Sequence, residues 1–166
     1  MNKKTLFIGG IKSGKSHNAQ KHILQTTHTK PLYLATTEFV DTGMQERIDA
    51  HKKERGDAFV TQEEPLHIEE VIAKSEQPIL LECISMWINN MLHHGYTYDA
   101  MLVKLHTIMA LDKTIVFVLN DVGGGVIPDN ALAREFVDIS GKISQLLGSE
   151  CDEVYHTIAG IATRIK

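Results

Sequence analysis

Two cysteines, four prolines and a single tryptophan are all that a chain of 166 residues contains of these types. Cys83 and Cys151 form no CxxC pair. Neither a disulfide framework nor a cysteine metal cluster is indicated, and a reducing compartment suits the chain. Basic charge is in deficit, with 17 Lys and Arg against 21 Asp and Glu and a net charge of −4. A mildly acidic chain is not built as a nucleic-acid binder, so any anionic ligand must be held by local groups. No apolar run approaches the roughly 18 residues that span a bilayer, and no membrane insertion is expected. Met1 to Lys4 lead straight into a short apolar segment and then glycines, which is no signal-peptide pattern. Together these absences predict a cytoplasmic protein.

What is present has a globular balance, 43% hydrophobic and 23% charged. The length predicts one domain over residues 1–166. Short apolar runs alternate with helical patterns. Strands are expected at 5–8, 31–36, 78–83, 114–119 and 152–158. Helices are expected at 15–26, 42–55, 66–74, 84–92 and 98–111. Thr42 with Gln45 has capping-box spacing. In the fifth helix Met101, Leu105 and Ile108 share one face. A last long helix is expected to open at Pro128, to place Leu132, Phe136, Ile139, Ile143 and Leu146 on one side, and to close at Gly148. Continuous apolar strands alternating with helices predict an α/β fold, a mostly parallel sheet with helices on both faces. Ligands of such sheets bind at the carboxyl ends of the strands. Segments 9–16, 36–38 and 82–87 each follow a strand and should meet there.

Gly9-Gly10-Ile11-Lys12-Ser13-Gly14-Lys15-Ser16 satisfies G-x-x-x-x-G-K-[ST], with a strand before it and a helix after it. Glycines let the backbone wrap phosphate oxygens, while N–H groups and a helix N-terminus donate to the anion. Lys15 is placed for the β- and γ-phosphates and the Ser16 hydroxyl for Mg²⁺. The fold expected is therefore P-loop NTPase-like. Glu82 ends an apolar strand, where an acid needs a partner and can hold the magnesium or its water. Asp121-Val122-Gly123-Gly124 resembles a GTPase DxxG, but no Asn-Lys-x-Asp guanine motif occurs, and a glycine turn before a helix is the better reading.

Arg47, His51 and Arg55 are four apart and form a stripe on one side of a helix, beside an apolar stripe of Met44 and Ile48 for the core. Two flanking guanidiniums disfavour the imidazolium, and a neutral imidazole is a competent nucleophile or base. The spacing alone also fits a solvated basic face, as Lys52 and Lys53 suggest. Both readings stand at this point. The other eight histidines show no zinc pattern, the adjacent His93 and His94 read as surface residues, and Trp87 and the methionines read as core.

These residues resemble a known family, the bifunctional adenosylcobinamide kinase / adenosylcobinamide-phosphate guanylyltransferases of cobalamin biosynthesis. The likeness runs through Phe7-Ile8-Gly9-Gly10 and Gly14-Lys15-Ser16 to Leu34-Ala35-Thr36-Thr37. Asp41, Met44, Arg47-Ile48, His51 and Arg55 follow, then Thr61, Glu63 and Pro65. It continues through Leu80 to Ile84, Trp87, Asn90, Asn120 to Gly123, Gly125 to Pro128, Arg134, Phe136 and Gly141. Small departures are Glu82 where Asp is common, Phe59 where Trp is common and Asp121 where Glu is common.

The resemblance implies two reactions. ATP or GTP phosphorylates adenosylcobinamide, and GTP then transfers GMP to adenosylcobinamide phosphate through a GMP-histidine, releasing pyrophosphate. His51 matches that histidine. Nucleotide contacts are implied at Gly9 to Ser16, at Ala35, Thr36 and Thr37, at Lys52, Lys53, Glu54 and Arg55, and at Glu63 and Glu82. Mg²⁺ is implied on Ser16 and Glu82, with Lys15 catalytic beside His51. A homotrimer is implied as well. Two competing readings are a P-loop small-molecule kinase without nucleotidyl transfer, which needs no nucleophilic His51, and a nucleotide-gated regulatory module.

Overall fold

The computed structural model describes residues 2–38 and 42–166; of helix 42–55 the side chains of Met44, Arg47, His51 and Glu54 lie outside the description, as does Asp41. Seven strands form one sheet in the order β3-β2-β4-β5-β1-β6-β7. They are β1 (Lys4–Gly9), β2 (Leu32–Ala35), β3 (Val60–Glu63), β4 (Ile79–Glu82), β5 (Ile115–Asn120), β6 (Glu153–Ile158) and β7 (Ile161–Arg164). Every pairing is parallel except β6 with β7. The helices are α1 (Lys15–Thr26), α2 (Thr42–Arg55), α3 (Ile68–Lys74), α4 (Ile84–His93), α5 (Tyr98–Ala110) and α6 (Ala131–Glu150).

Period-two alternation sorts the apolar strand residues onto two faces. Leu6, Leu34, Leu81, Phe117 and Leu119 point to one side, where they meet Trp87, Ile88 and Met91 of α4, Met101, Leu105 and Ile108 of α5, and Ile139, Ile143 and Leu147 of α6. Phe7, Tyr33, Leu80, Val116 and Val118 point to the other, where Ala19 and Ile23 of α1 and the ring of Phe59 cover them. The sheet is thus covered on both faces, by α3–α6 on one side and by α1 on the other.

Several elements differ from the sequence expectation. Val60-Thr61-Gln62-Glu63 is a strand without an apolar run, because it pairs only with β2 and all four residues are exposed. The chain also continues past 158 into β7. Ala159 and Gly160 have φ of 51° and 81°, the two left-handed positions of a tight hairpin. An Ala-Gly pair is a weaker signal for such a turn than Asn-Gly, and it reads as an ending.

Helix α6 opens at Ala131 rather than Pro128. The Asn130 side chain accepts from the Ala133 N–H as N-cap, and Arg134 donates to the Pro128 and Asp129 carbonyls. Leu132 is consequently exposed, and the helix runs through Gly148 to Glu150. Helix α3 starts at Ile68 because Glu64 accepts the N–H groups of Leu66 and His67. Gln45 donates to Asp49 in place of closing a capping box.

Candidate functional site

The phosphate loop leaves β1 at Gly9 and enters α1 at Lys15. Gly9 has no room for a side chain, since a Cβ there would lie 2.4 Å from the Thr157 carbonyl oxygen. Gly14 caps α1 at φ 93°, a left-handed conformation that glycine adopts without cost. The β6–β7 hairpin props this turn. Gly160 N–H donates to the Ser13 carbonyl at 2.7 Å, and Asn18 Nδ2 reaches the Gly14 and Gly160 carbonyls. The strand that the sequence hides therefore buttresses the loop that the sequence announces.

Lys15 is buried and its Nζ donates to the Gly10 carbonyl at 3.1 Å. Burial pulls its pKa down, against the pull of Cys83 and Glu82 in the other direction. A desolvated cation with one weak hydrogen-bond partner among the described residues is primed for an incoming anion. Ser16 Oγ donates to Glu82 Oε1 at 2.6 Å. The other carboxylate oxygen, Oε2, is buried without a hydrogen-bond partner among the described residues. Burial raises the Glu82 pKa, opposed by the Ser16 hydrogen bond and by Lys15 and Arg55. A hydroxyl and a carboxylate side by side, with one oxygen unsatisfied, are the hard oxygen donors that suit Mg²⁺.

These groups open onto a cavity of about 470 Å³ at the carboxyl edge of the sheet. Ile11, Lys12, Gly14, Lys15 and Ser16 line it from the loop, Ala35, Thr36 and Thr37 from the end of β2, and Glu82 and Cys83 from the end of β4. The three post-strand segments meet as expected. Helix α2 with the strand after it supplies a further wall through Ile48, Lys52, Arg55, Thr61 and Glu63. Lys52 Nζ stands 3.7 Å from Glu63 Oε1.

The family model for cobinamide kinase / cobinamide phosphate guanyltransferase matches residues 5–165. The chain belongs to this family. It is 33% identical over 180 residues to the bifunctional adenosylcobalamin biosynthesis protein CobU of Escherichia coli, covering 97% of this chain and 98% of that protein. It is 30% identical to the corresponding protein CobP of Pseudomonas aeruginosa, covering 97% and 96%. Among solved structures, the flagellar accessory protein FlaH of Methanocaldococcus jannaschii superposes with a TM-score of 0.54 at 14% identity, covering 99% of this chain and 78% of that one. A Pyrococcus horikoshii structure gives 0.53 at 10% identity, covering 99% and 86%. These likenesses support the P-loop α/β fold and nothing finer.

Within this family member, the expected site residues do not all behave alike. Gly9, Gly10 and Ser13 shape the loop but do not line the cavity. Lys53 is exposed and also stands outside the lining. The Thr36 hydroxyl is already engaged, donating to the Cys83 carbonyl at 2.8 Å and accepting from the Cys83 N–H. The side chains of His51 and Glu54 lie outside the described residues.

Arg55 is no solvated basic residue. It is buried, with its guanidinium 3.6 Å above the centre of the Tyr33 ring. Tyr33 in turn loses acidity, through burial first and the nearby Glu82 second. Ile48, assigned above to the core stripe, faces the cavity, and so does Met86. Tyr33, Met86 and Asn120 are lining residues that sequence reasoning missed. Asn120 ends β5 and Met86 lies one turn beyond β4, the positional signal that could have found them, whereas Tyr33 lies inside β2 and carries no such signal. Asp121 accepts from the Gly123 N–H, the local turn expected of it. His94 holds Glu38 at 2.7 Å on the surface.

Proposed function

We propose that this chain is a bifunctional enzyme of cobalamin biosynthesis that phosphorylates adenosylcobinamide with ATP or GTP and then guanylylates the product. The observation that carries this reading is the convergence of two different walls on one cavity. One is a phosphate loop with Ser16 on Glu82; the other is the α2 face bearing Lys52 and Arg55.

In the first reaction the hydroxyl oxygen of the substrate attacks the γ-phosphorus and its proton passes to solvent. The bond to the bridging oxygen breaks, and the nucleoside diphosphate leaves. Catalysis of this kind is mostly positioning and charge neutralisation. The loop N–H groups and Lys15 orient the phosphates. Ser16 and Glu82 would hold Mg²⁺, which neutralises charge on the phosphates.

In the second reaction a neutral His51 imidazole nitrogen attacks the α-phosphorus of GTP, a P–N bond forms, and pyrophosphate departs along the phosphate loop. A phosphate oxygen of adenosylcobinamide phosphate then attacks the same phosphorus, the P–N bond breaks and adenosyl-GDP-cobinamide is released. Splitting one displacement into two is ordinary covalent catalysis. Lys52 and Arg55 line the cavity on the same helix and supply positive charge next to this chemistry. The reading extends to residues 1–166 acting as one domain, in the cytoplasm, as a homotrimer.

Intact-protein mass spectrometry after incubation with GTP and Mg²⁺, without corrinoid, tests it. A mass gain of one GMP, absent in His51→Ala, is the expected result, and the variant keeps most of its kinase activity. A folded, GTP-binding protein that forms no adduct would leave a kinase without nucleotidyl transfer. Equal loss of both activities in a folded His51→Ala would overturn the division of labour.

A further inference from the structure

Asn90 sits in α4 with none of its surface exposed. Its Nδ2 donates to the Thr36 carbonyl at 2.7 Å and to the Pro65 carbonyl at 3.1 Å. An amide nitrogen carries two hydrogens, and both are used here. The amide oxygen has no hydrogen-bond partner among the described residues. The position therefore uses the two donors of asparagine and not its acceptor.

The two carbonyls matter through topology. Thr36 directly follows β2, and Pro65 stands just beyond β3. Between them runs the excursion of α2, a short 3-10 turn and β3, which brings Lys52, Arg55 and Glu63 to the cavity. One buried amide thus ties both roots of that excursion to a single point of α4. Helix α4 is itself fixed in the core by Trp87, Ile88 and Met91. The phosphate loop has a separate support in the β6–β7 hairpin, and its Ser16–Glu82 contact meets the Thr36 root only at the end of β4, where Thr36 donates to the Glu82 and Cys83 carbonyls.

We infer that Asn90 is a positioning residue for guanylyl transfer, holding α2 where its face meets the α-phosphate of the bound nucleotide. The inference rests on the function proposed above. Without the amide, the buried Thr36 carbonyl and the half-buried Pro65 carbonyl face the same space without this donor, and the least costly relief is for the roots to part. The α2 wall then shifts while the phosphate loop stays in place.

Asn90→Leu removes both donors while keeping the branched heavy-atom shape of the side chain. The rate of GMP-adduct formation from GTP should fall at least ~10-fold, while kcat/KM for phosphorylation of cobinamide falls less than ~3-fold. Hydrogen exchange should quicken within residues 42–64 and stay unchanged in β1 and α1. Ile143→Val, a destabilising change in the core under α6, serves as control and should leave the ratio of the two activities unchanged. Should Asn90→Leu fail to fold, Asn90→Ser, which keeps one donor, must show the same skew at smaller size. Proportional loss of both activities, an unchanged adduct rate or a uniform rise in exchange overturns the inference. If the wild-type protein forms no adduct, the functional reading fails, and the pattern of exchange alone decides whether Asn90 pins the excursion.

Discussion

The phosphate loop and helix α2 line the same cavity, yet they are built in contrasting ways. The loop is enclosed by backbone: Thr157 leaves no room beside Gly9, Gly160 supports Ser13, and Asn18 ties Gly14 to the hairpin. Helix α2 carries few apolar residues, and among its described side chains only Arg55 is buried. Its roots are tied to α4 by a single amide, beside the sheet-edge bonds of Thr36 to Glu82 and Cys83 and of the Glu64 N–H to the Ala35 carbonyl, and its last turn rests on one aromatic ring. A rigid cradle suits phosphates, which both proposed reactions must hold. A separately mounted wall suits a group needed in only one of them. The two regions should therefore fail differently when mutated.

Lys15→Ala offers the largest effect and tests the shared half of the comparison. Both phosphorylation and adduct formation should drop by roughly 10²–10³-fold or more, the size expected when a charge aimed at a reacting phosphate is removed. The melting temperature should hold or rise, because Lys15 is a buried cation whose charge is disfavoured by desolvation. Steady-state kinetics beside thermal melts give the answer. A variant that loses only one activity would show that the loop does not serve both.

How much of this could be read in the sequence follows from the same contrast. The loop is legible because its constraints are backbone constraints. Left-handed or crowded positions demand glycine at fixed spacing, and Gly9 and Gly14 are such positions. The apolar strands β1, β4 and β5 are legible because they are buried on both faces. Strand β3 is not, since an exposed edge strand needs no hydrophobic pattern. The roles of Tyr33 and Asn90 were hidden for another reason. Both have ordinary identities for their elements, and only the register of β2 beside β4 and the crossing of α4 reveal what they hold. Arg55 looked like part of a wet surface because Lys52 and Lys53 adjoin it, but the aromatic face beneath it lies in a different element.

Glu82 tests the loop side by pH, with an intermediate effect. Burial raises its pKa above the ordinary carboxylate value, so the folded protein without metal holds this proton more tightly than the unfolded chain. Stability should accordingly fall as pH rises from the ordinary carboxylate value to the raised one, and level off above it. Glu82→Gln should flatten that portion of the melting profile. Kinase activity has the opposite sign, since it needs the carboxylate form to hold Mg²⁺, and it should decline in acid as protons compete with the metal for that carboxylate. The glutamine variant should lose about 10–100-fold in activity or metal affinity. Identical pH–stability curves for the two proteins would remove Glu82 from the account.

The smallest expected effect belongs to the platform beneath α2. A guanidinium over an aromatic face is worth about 0.5–2 kcal/mol, which corresponds to roughly 2- to 30-fold in an equilibrium. Tyr33→Leu should weaken GTP binding within that range, because Arg55 loses the surface that aims it into the cavity. Tyr33→Phe keeps the ring and should lose less than Tyr33→Leu, the cost being the hydroxyl alone. Calorimetric titration with GTP separates the two. Equal weakening in both variants would shift the role from the ring to the hydroxyl. Unchanged affinity in Tyr33→Leu would mean that the last turn of α2 is held by the connection through Phe59 into β3, leaving its basic end less dependent on the sheet than the stacking geometry indicates.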